Sequence, residues 1–347
     1  MRAHVFGLFG AVALTACGSE SGVPSMPSPS GEAVGAPSDV DTPSPPSSPA
    51  KPAPAAKLGA PYPIVLLHGM AGFESLELGP VETSYFSGVA EDLAEHGEDV
   101  YLTVAPPYET SEVRAGVVAK QLDEILARTG KAKVNLIGHS QGGLDARVLA
   151  SAHGLAYGDR IASVTTVATP HRGTKIADLA LGLIDYVPKK QLDDVVGAVL
   201  TLVQRTAYDL ETDSNLRGQV GLLTEKYMAE VFNPKYVDAR GVVYRSYAGR
   251  TNRQSGKGTC DDAAYPNEPR KVDRVTPALL PTAVYLEEVE GQVNDGLVPV
   301  ESAKWGTFEQ CVPADHMKEV GLLGEETSFD HRQFFRDIVA RLRESGL

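Results

Sequence analysis

The sequence predicts an α/β fold in which a mostly parallel central sheet is flanked by helices. Short apolar runs typical of buried strands alternate with longer amphipathic runs typical of helices. Strands that alternate with helices pair in parallel through right-handed crossovers. One run, Val134–Gly143 (VNLIGHSQGG), passes from an apolar strand through a glycine-flanked serine into a helix. A chain of 347 residues is long enough for one large domain of this class.

The predicted elements follow in chain order. The strands are the apolar runs Tyr62–Leu67, Val100–Val104, Val134–Ile137, Ile161–Ala168 and Ala283–Glu288. The helices are Glu112–Arg128, which places Val113, Val117, Leu122, Ile125 and Leu126 on its apolar side, Gly143–Ala150 and Arg332–Leu342. Gly130 is expected to end the first of these helices.

The N-terminus predicts a signal peptide over residues 1–16. Arg2 and His4 precede the apolar run Val5–Leu14, which is too short for a stable membrane span. The following Leu14-Thr15-Ala16-Cys17 resembles a bacterial lipobox, in which the cysteine is lipidated and begins the mature protein. The alternative is an ordinary secretory signal cleaved nearby, and both interpretations predict export.

Residues 17–57 predict a disordered tether, and residues 58–347 the folded domain. The tether is dominated by Pro, Ser, Gly and Ala, a composition that cannot bury enough apolar surface to fold. A lipid on Cys17 would place the domain at an outer membrane or cell surface, whereas an unlipidated chain would be secreted. The net charge of -13 argues against nucleic acid as a partner, because no basic excess is available to neutralise phosphates.

Ser140 is the candidate nucleophile. Glycines two positions to either side of it let strand and helix approach closely, and the pattern G-x-S-x-G forces the serine into a strained backbone conformation. The helix begins directly behind the serine, so its dipole and free N–H groups favour negative charge there. A serine hydroxyl also requires a base, an acid that orients the base, and an oxyanion site.

Four separated motifs together resemble the bacterial lipase family of the Pseudomonas and Burkholderia type. They are His68–Phe73 (HGMAGF), Val134–Gly143, Thr166–Gly173 (TVATPHRG) and Asn294–Val298 (NDGLV). The resemblance covers most of Pro61–Leu342. It implies the α/β-hydrolase fold and hydrolysis of carboxylic esters, including long-chain acylglycerols.

The resemblance implies a triad of Ser140, Asp295 as acid and His316 as base, in the α/β-hydrolase order. It also implies an oxyanion hole formed by the backbone N–H groups of Met70 and Gln141. Asp295 has an alternative interpretation as a turn residue, because Asp-Gly is a common turn dipeptide. Among the other histidines, His68 and His171 are expected to brace their loops and His331 to open the last helix. His139, beside the serine, is expected to point beneath the elbow.

Two further features concern cysteines and calcium. Cys260 and Cys311 predict a disulfide in an exported protein, which would pin the loops of the acid and the base. The resemblance also implies a structural calcium near the histidine, but Lys318 and Leu322 occupy the positions of its ligands. We therefore expect this site to be lost and no cofactor to be bound, although Asp261 and Asp262 could have supplied another ligand.

Residues 174–235 predict a helical insertion with two apolar stripes. These are Ile176, Leu179, Ala180, Leu183 and Ile184, then Leu192, Val195, Val196, Val199 and Leu200. A mobile lid over the serine and a fixed cap would show the same stripes, so both remain open. We expect a monomer, and some relatives require a dedicated folding chaperone.

Together these features predict a membrane-tethered serine ester hydrolase, in first place a triacylglycerol lipase. Within the same chemistry, the alternatives are a short-chain carboxylesterase, a polyester depolymerase and an acyltransferase. Outside enzymes, the alternative is a non-catalytic surface lipoprotein that binds lipid or protein, because a fold alone does not guarantee activity.

Overall fold

The central sheet has six strands, all parallel, in the order β4-β1-β5-β6-β7-β8 among the residues that the structure describes. This computed structural model describes residues 61–70, 72, 75–78, 81–186, 215–254, 272–322 and 329–347. The strands are β1 (Ile64–Leu67), β4 (Val100–Thr103), β5 (Val134–His139), β6 (Ile161–Val167), β7 (Val243–Gly249) and β8 (Thr307–Val312). A separate antiparallel ribbon pairs β2 (Ser75–Leu78) with β3 (Val81–Ser84). The predicted α/β class is confirmed.

Helices cover both faces of the sheet, as a parallel sheet requires. They are α1 (Val89–Glu95), α2 (Ser111–Thr129), α3 (Gln141–Ala150), α4 (Lys175–Tyr186), α5 (Leu216–Leu222), α6 (Leu280–Val284), α7 (Val300–Ala303) and α8 (His331–Glu344). One buried cluster joins β1 to α8 through Phe334 and Phe335, and another joins β1 and β5 to α2 and α3. All six residues of β5 are buried, which fits the apolar Val134, Leu136 and Ile137 of this strand.

The predicted strands β1, β4, β5 and β6 and the predicted helices α2, α3 and α8 are confirmed, with shifts at their ends. In α2 the predicted apolar side is wrong at its first position. Val113 is 46% exposed, whereas Arg114 is fully buried. The reason is that Arg114 has buried acceptors, which are described with the site below.

The predicted strand Ala283–Glu288 is wrong. The chain there forms α6 and then a π-helix, Tyr285–Val289. Leu279, Ala283 and Leu286 are buried, and their spacing places them on one face of a helix. Pro281 lies in the first turn of α6, where its missing N–H has no cost.

The described part of the insertion contains α4, α5 and three short helical pieces, Glu225–Tyr227, Met228–Phe232 and Asn233–Lys235. The second predicted apolar stripe, from Leu192 to Leu200, lies outside the described residues, as do Cys17 with its tether, Cys260, Asp261 and Asp262. Among the described residues, no helix combines the length and apolar character needed to cross a membrane.

Candidate active site

Ser140 lies at the tip of a tight turn between β5 and α3. Its φ of 54° and ψ of -129° are strained for a residue with a side chain. The N–H of Ser140 donates to the carbonyl of Val167 over 2.9 Å, and the Thr169 hydroxyl donates to the carbonyl of Ser140 over 2.8 Å. These contacts with β6 and the loop after it hold the serine in the predicted elbow.

The two glycines of the elbow are required by close backbone approaches. A Cβ on Gly138 would lie 2.5 Å from the nitrogen of Gly143, and one on Gly142 would lie 2.2 Å from the carbonyl oxygen of Leu67. Any side chain would therefore push α3 away from β1 and β5. The G-x-S-x-G pattern thus reflects the packing of the helix on the sheet.

The side chains of Asp295 and His316 are in contact, although the two residues are 21 positions apart in the sequence. The Nδ1 atom of His316 lies 2.8 Å from Oδ2 of Asp295, and the N–H of His316 donates to the Asp295 carbonyl over 2.9 Å. The other carboxylate oxygen, Oδ1, accepts from the N–H groups of Leu297 (2.9 Å) and Val298 (2.7 Å). Since Oδ2 then accepts the Nδ1 proton, the Nε2 atom of His316 is left free to act as a base.

The loop that carries His316 follows β8 and is shaped by Asp315. The carboxylate of Asp315 accepts from the N–H groups of Met317 (3.1 Å), Lys318 (3.0 Å) and Thr276 (2.7 Å). The imidazole of His316 lies beside that of His139, with ring centroids 4.6 Å apart. Because His139 directly precedes Ser140, the structure gathers Ser140, Asp295 and His316 at the carboxyl ends of the strands.

The turn after β1, which carries Met70, lies directly on the serine. A Cβ on Gly69 would be 2.7 Å from Cβ and 3.2 Å from Oγ of Ser140. Gln141 is the first residue of α3, so its N–H has no carbonyl a turn earlier to bond. The two predicted oxyanion donors therefore belong to segments that flank Ser140.

His68 has the bracing contacts expected of it. Its Nδ1 lies 2.9 Å from the carbonyl oxygen of Gly69, and its Nε2 accepts from the N–H of Ala105 over 3.0 Å. Burial, with a smaller contribution from the Arg114 charge, lowers the pKa of His68 to about 3. The imidazole is therefore neutral and holds the turn in place.

Sequence reasoning missed the buried pair Arg114 and Asp145. Arg114 donates to the carbonyls of His68 (2.6 Å) and Pro106 (2.7 Å) and to Oδ2 of Asp145 (2.7 Å). Burial raises the pKa of Asp145 to about 6, against the opposing charge of Arg114. One guanidinium thus connects the Met70 turn to α3, and no motif in the sequence marks it.

A second missed group is Glu319, which is fully buried close to His316. The Tyr85 hydroxyl lies 2.7 Å from Nδ1 of His139, whose Nε2 lies 3.4 Å from Oε2 of Glu319. Burial, then the charge of Asp295, raises the pKa of Glu319 well above its usual range. Burial, then the charge of His316, holds the pKa of His139 well below its usual value. Burial therefore favours the neutral form of both groups.

The remaining histidines also have structural contacts. His171 is stacked on Trp305 with ring centroids 5.2 Å apart, and its Nε2 lies 3.0 Å from the Thr166 hydroxyl. The Nε2 atom of His331 lies 2.8 Å from the carbonyl oxygen of Ser87, at the start of α8. Asp295 is not among these partners of His171 and His331, whereas it is hydrogen-bonded to His316.

Lys318 and Leu322, which stand at the predicted positions of calcium ligands, are both buried. The Nζ atom donates to the carbonyl of Arg274 over 2.5 Å and lies 3.9 Å from Oδ2 of Asp315, so an ammonium already occupies the space between these oxygens. Leu322 is buried and offers no oxygen from its side chain. His139, His316 and Glu319 have ligand-type atoms within 4.8 Å of one another. His316 is bonded to Asp295 and His139 to Tyr85, so one ring nitrogen of each histidine in this cluster already has a protein partner.

Comparison with known proteins places this geometry in a family. Residues 62–280 match the family described as the alpha/beta hydrolase fold. A triacylglycerol lipase of Vibrio cholerae is 30% identical over 302 residues, which cover 82% of this chain and 89% of that protein. The chain belongs to the bacterial lipases of the α/β-hydrolase superfamily.

Other proteins that are similar to this chain are also lipases. A triacylglycerol lipase of Pseudomonas fragi is 27% identical over 299 residues, covering 82% of this chain and 97% of that one. The crystal structure of a Staphylococcus hyicus lipase matches with a TM-score of 0.57 at 18% identity, covering 83% of this chain and 97% of that chain, which shows the shared fold. The predicted resemblance is confirmed.

Proposed function

We propose that this chain is a serine carboxylic-ester hydrolase, in first place a triacylglycerol lipase, that acts through Ser140, Asp295 and His316. Its membership of the bacterial lipases supports hydrolysis of ester substrates. The observation that carries the residue assignment is the 2.8 Å contact between His316 and Asp295, next to a serine with positive φ.

In the proposed reaction, His316 Nε2 takes the proton of the Ser140 hydroxyl as Oγ attacks the ester carbonyl. The N–H groups of Met70 and Gln141 bind the oxyanion that forms. The tetrahedral intermediate collapses as His316 returns the proton to the leaving alcohol, which leaves an acyl group on Ser140. Water, deprotonated by His316, then releases the acid and restores the serine.

Export and lipidation at Cys17 are part of the proposal. They rest on the apolar run, the lipobox-like sequence and the Pro/Ser-rich tether, which would hold the domain away from an outer-membrane surface. Mass spectrometry of the mature chain would test them, because lipidation predicts an acylated N-terminal cysteine. An unmodified N-terminus would favour a secreted enzyme.

The test of function is hydrolysis of p-nitrophenyl esters with short to long acyl chains by the full chain. Ser140→Ala should abolish turnover, while Ser151→Ala, the same change at the other end of α3, should retain it. Activity that rises with chain length supports a lipase, and activity confined to short esters supports an esterase. Turnover that survives in Ser140→Ala contradicts the proposal.

A further inference from the structure

The side chain of Gln141 is held at both ends of its amide. Its Nε2 donates to the carbonyl of Glu109 over 2.9 Å and lies 3.4 Å from the Ser111 hydroxyl. Its Oε1 accepts a 2.6 Å hydrogen bond from Nε2 of Gln219. Gln141 is fully buried, so these contacts fix the residue whose N–H follows the nucleophile.

Gln219 belongs to α5, in the insertion. It is fully buried, and its Nε2 also donates to the carbonyl of Pro107 over 3.0 Å. An amide nitrogen carries two hydrogens, so both are used by acceptors outside the insertion. Its Oε1 has no partner among the described residues. A buried carbonyl without a donor is unfavourable, so the contribution of Gln219 lies in its two donated bonds.

Backbone hydrogen bonds join both ends of α5 to other segments, to the loop before α2 at one end and to Thr174, the first residue of the insertion, at the other. At the N-terminal end, the N–H of Asn215 donates to the carbonyl of Tyr108 over 3.0 Å. At the other end, the N–H of Thr174 donates to the carbonyl of Leu223 over 3.0 Å. An outward movement of α5 would break these bonds together with those of Gln219.

We propose that Gln219 is a positioning residue that couples the insertion to the oxyanion site by holding Gln141. This inference rests on the proposed function, because it requires the Gln141 N–H to bind the developing oxyanion. It also makes α5 a fixed part of the cap and not a lid. Displacement of Gln141 would weaken binding of the transition state more than binding of the ester, so kcat should fall while KM changes little.

The first test replaces Gln219 by Glu in the full chain. A protonated carboxyl can still donate one bond to Oε1 of Gln141, but an ionised one places negative charge against two carbonyl oxygens. A buried carboxyl titrates above its usual range. The ratio of variant to wild-type kcat should therefore fall about tenfold between about pH 5.5 and about pH 9. Taking the ratio removes the pH dependence that both proteins share.

The second test is Gln219→Leu beside Gln121→Leu. Gln121 makes a similar amide contact, to the carbonyl and the N–H of Val104, but on α2 away from Ser140. We expect kcat to fall about tenfold to a hundredfold in Gln219→Leu, with KM within about twofold, and to stay near wild type in Gln121→Leu. Circular dichroism at the assay temperature corrects each value for the folded fraction.

The outcomes separate the inference from the proposed function. No ester turnover by the wild type overturns the proposed function and, with it, the inference. An active wild type with a Gln219→Glu ratio that does not change with pH overturns the inference alone. The same holds if Gln219→Leu matches Gln121→Leu after correction for folding. If Gln219→Leu does not fold, the pH ratio of Gln219→Glu decides.

Discussion

Replacement of Arg114 by Met should both destabilise the domain and lower ester turnover. The change removes the donors of the His68 and Pro106 carbonyls and leaves the Asp145 carboxylate buried without its cation. Breaking a buried ion pair by removing one partner costs about 3–5 kcal/mol. Protonation of Asp145, whose pKa is already about 6, limits the loss toward the lower end of that range. We expect the free energy of unfolding to fall by about 3 kcal/mol.

The matched control is Arg343→Met. Arg343 is also buried and pairs with the buried Glu98, and it donates to the Leu347 carbonyl over 2.6 Å, at the end of the chain after α8. Urea unfolding should show a loss of similar size in both variants. Only Arg114→Met should lower kcat at a temperature where both variants are folded, because Arg114 contacts the turn of Met70 and Arg343 does not. A loss of less than about 1 kcal/mol in Arg114→Met would refute the reasoning about the buried pair.

Further predictions follow from other contacts. In Asp295→Asn, the amide oxygen should keep the two backbone donors and present its NH₂ to Nδ1 of His316, which forces the wrong tautomer. We expect kcat to fall roughly 10³- to 10⁴-fold with unchanged folding, and a loss of less than tenfold would contradict the assignment. The raised pKa of Asp145 means that the folded state binds its proton more tightly than the unfolded state, so its contribution to stability is lost as pH rises from about 4 to about 6. The difference in unfolding free energy between wild type and Asp145→Asn should therefore change over this range, and a constant difference would exclude a raised pKa. Calorimetric titration should show no tight calcium binding, because the Lys318 ammonium lies where such an ion would need oxygen ligands. A micromolar response would overturn that prediction. Iodoacetamide should leave Cys260 and Cys311 unmodified in the unfolded, unreduced chain, and labelling of both would exclude the predicted disulfide.

The sequence was sufficient for the elements whose signal is local. The elbow around Ser140 could be predicted because steric limits at Gly138 and Gly142 leave few other residues. The buried strands β5 and β6 could be predicted because both faces are covered, and because apolar residues in β5 and β-branched residues in β6 dominate their sequences. The predicted strand Ala283–Glu288 was wrong because a short apolar run is compatible with either a strand or a helix. The spacing of the buried residues distinguishes the two only when the structure shows which residues are buried.

Four of the described strands were missed, β2, β3, β7 and β8. In the two that belong to the central sheet, β7 and β8, polar residues are paired over long distances. In β7, the Ser246 hydroxyl accepts from the N–H of Trp305 over 2.8 Å, and Arg245 pairs with Glu309 of β8. Glu309 also lies 3.1 Å from Arg341 of α8. Such polar side chains weaken the apolar pattern that predicts a strand. Ser246 lies 59 residues from Trp305 in the sequence, and Arg245 lies 64 residues from Glu309, so a local pattern cannot report these pairs.

Burial is the main cause of the pKa shifts of Glu319 and His139, which lie close to His316. Burial cannot be read from a sequence motif. Glu319 and Asp295 are both carboxylic acids near His316, but their surroundings differ. Asp295 accepts two backbone N–H bonds and one from the imidazole, whereas both oxygens of Glu319 have no hydrogen-bond partner among the described residues. Only Asp295 therefore has donors that compensate a negative charge. His139, kept neutral by burial, adds no positive charge beside His316. In the proposed reaction, the His316 imidazolium would thus be stabilised by Asp295 and would not be opposed by a second cation 4.6 Å away.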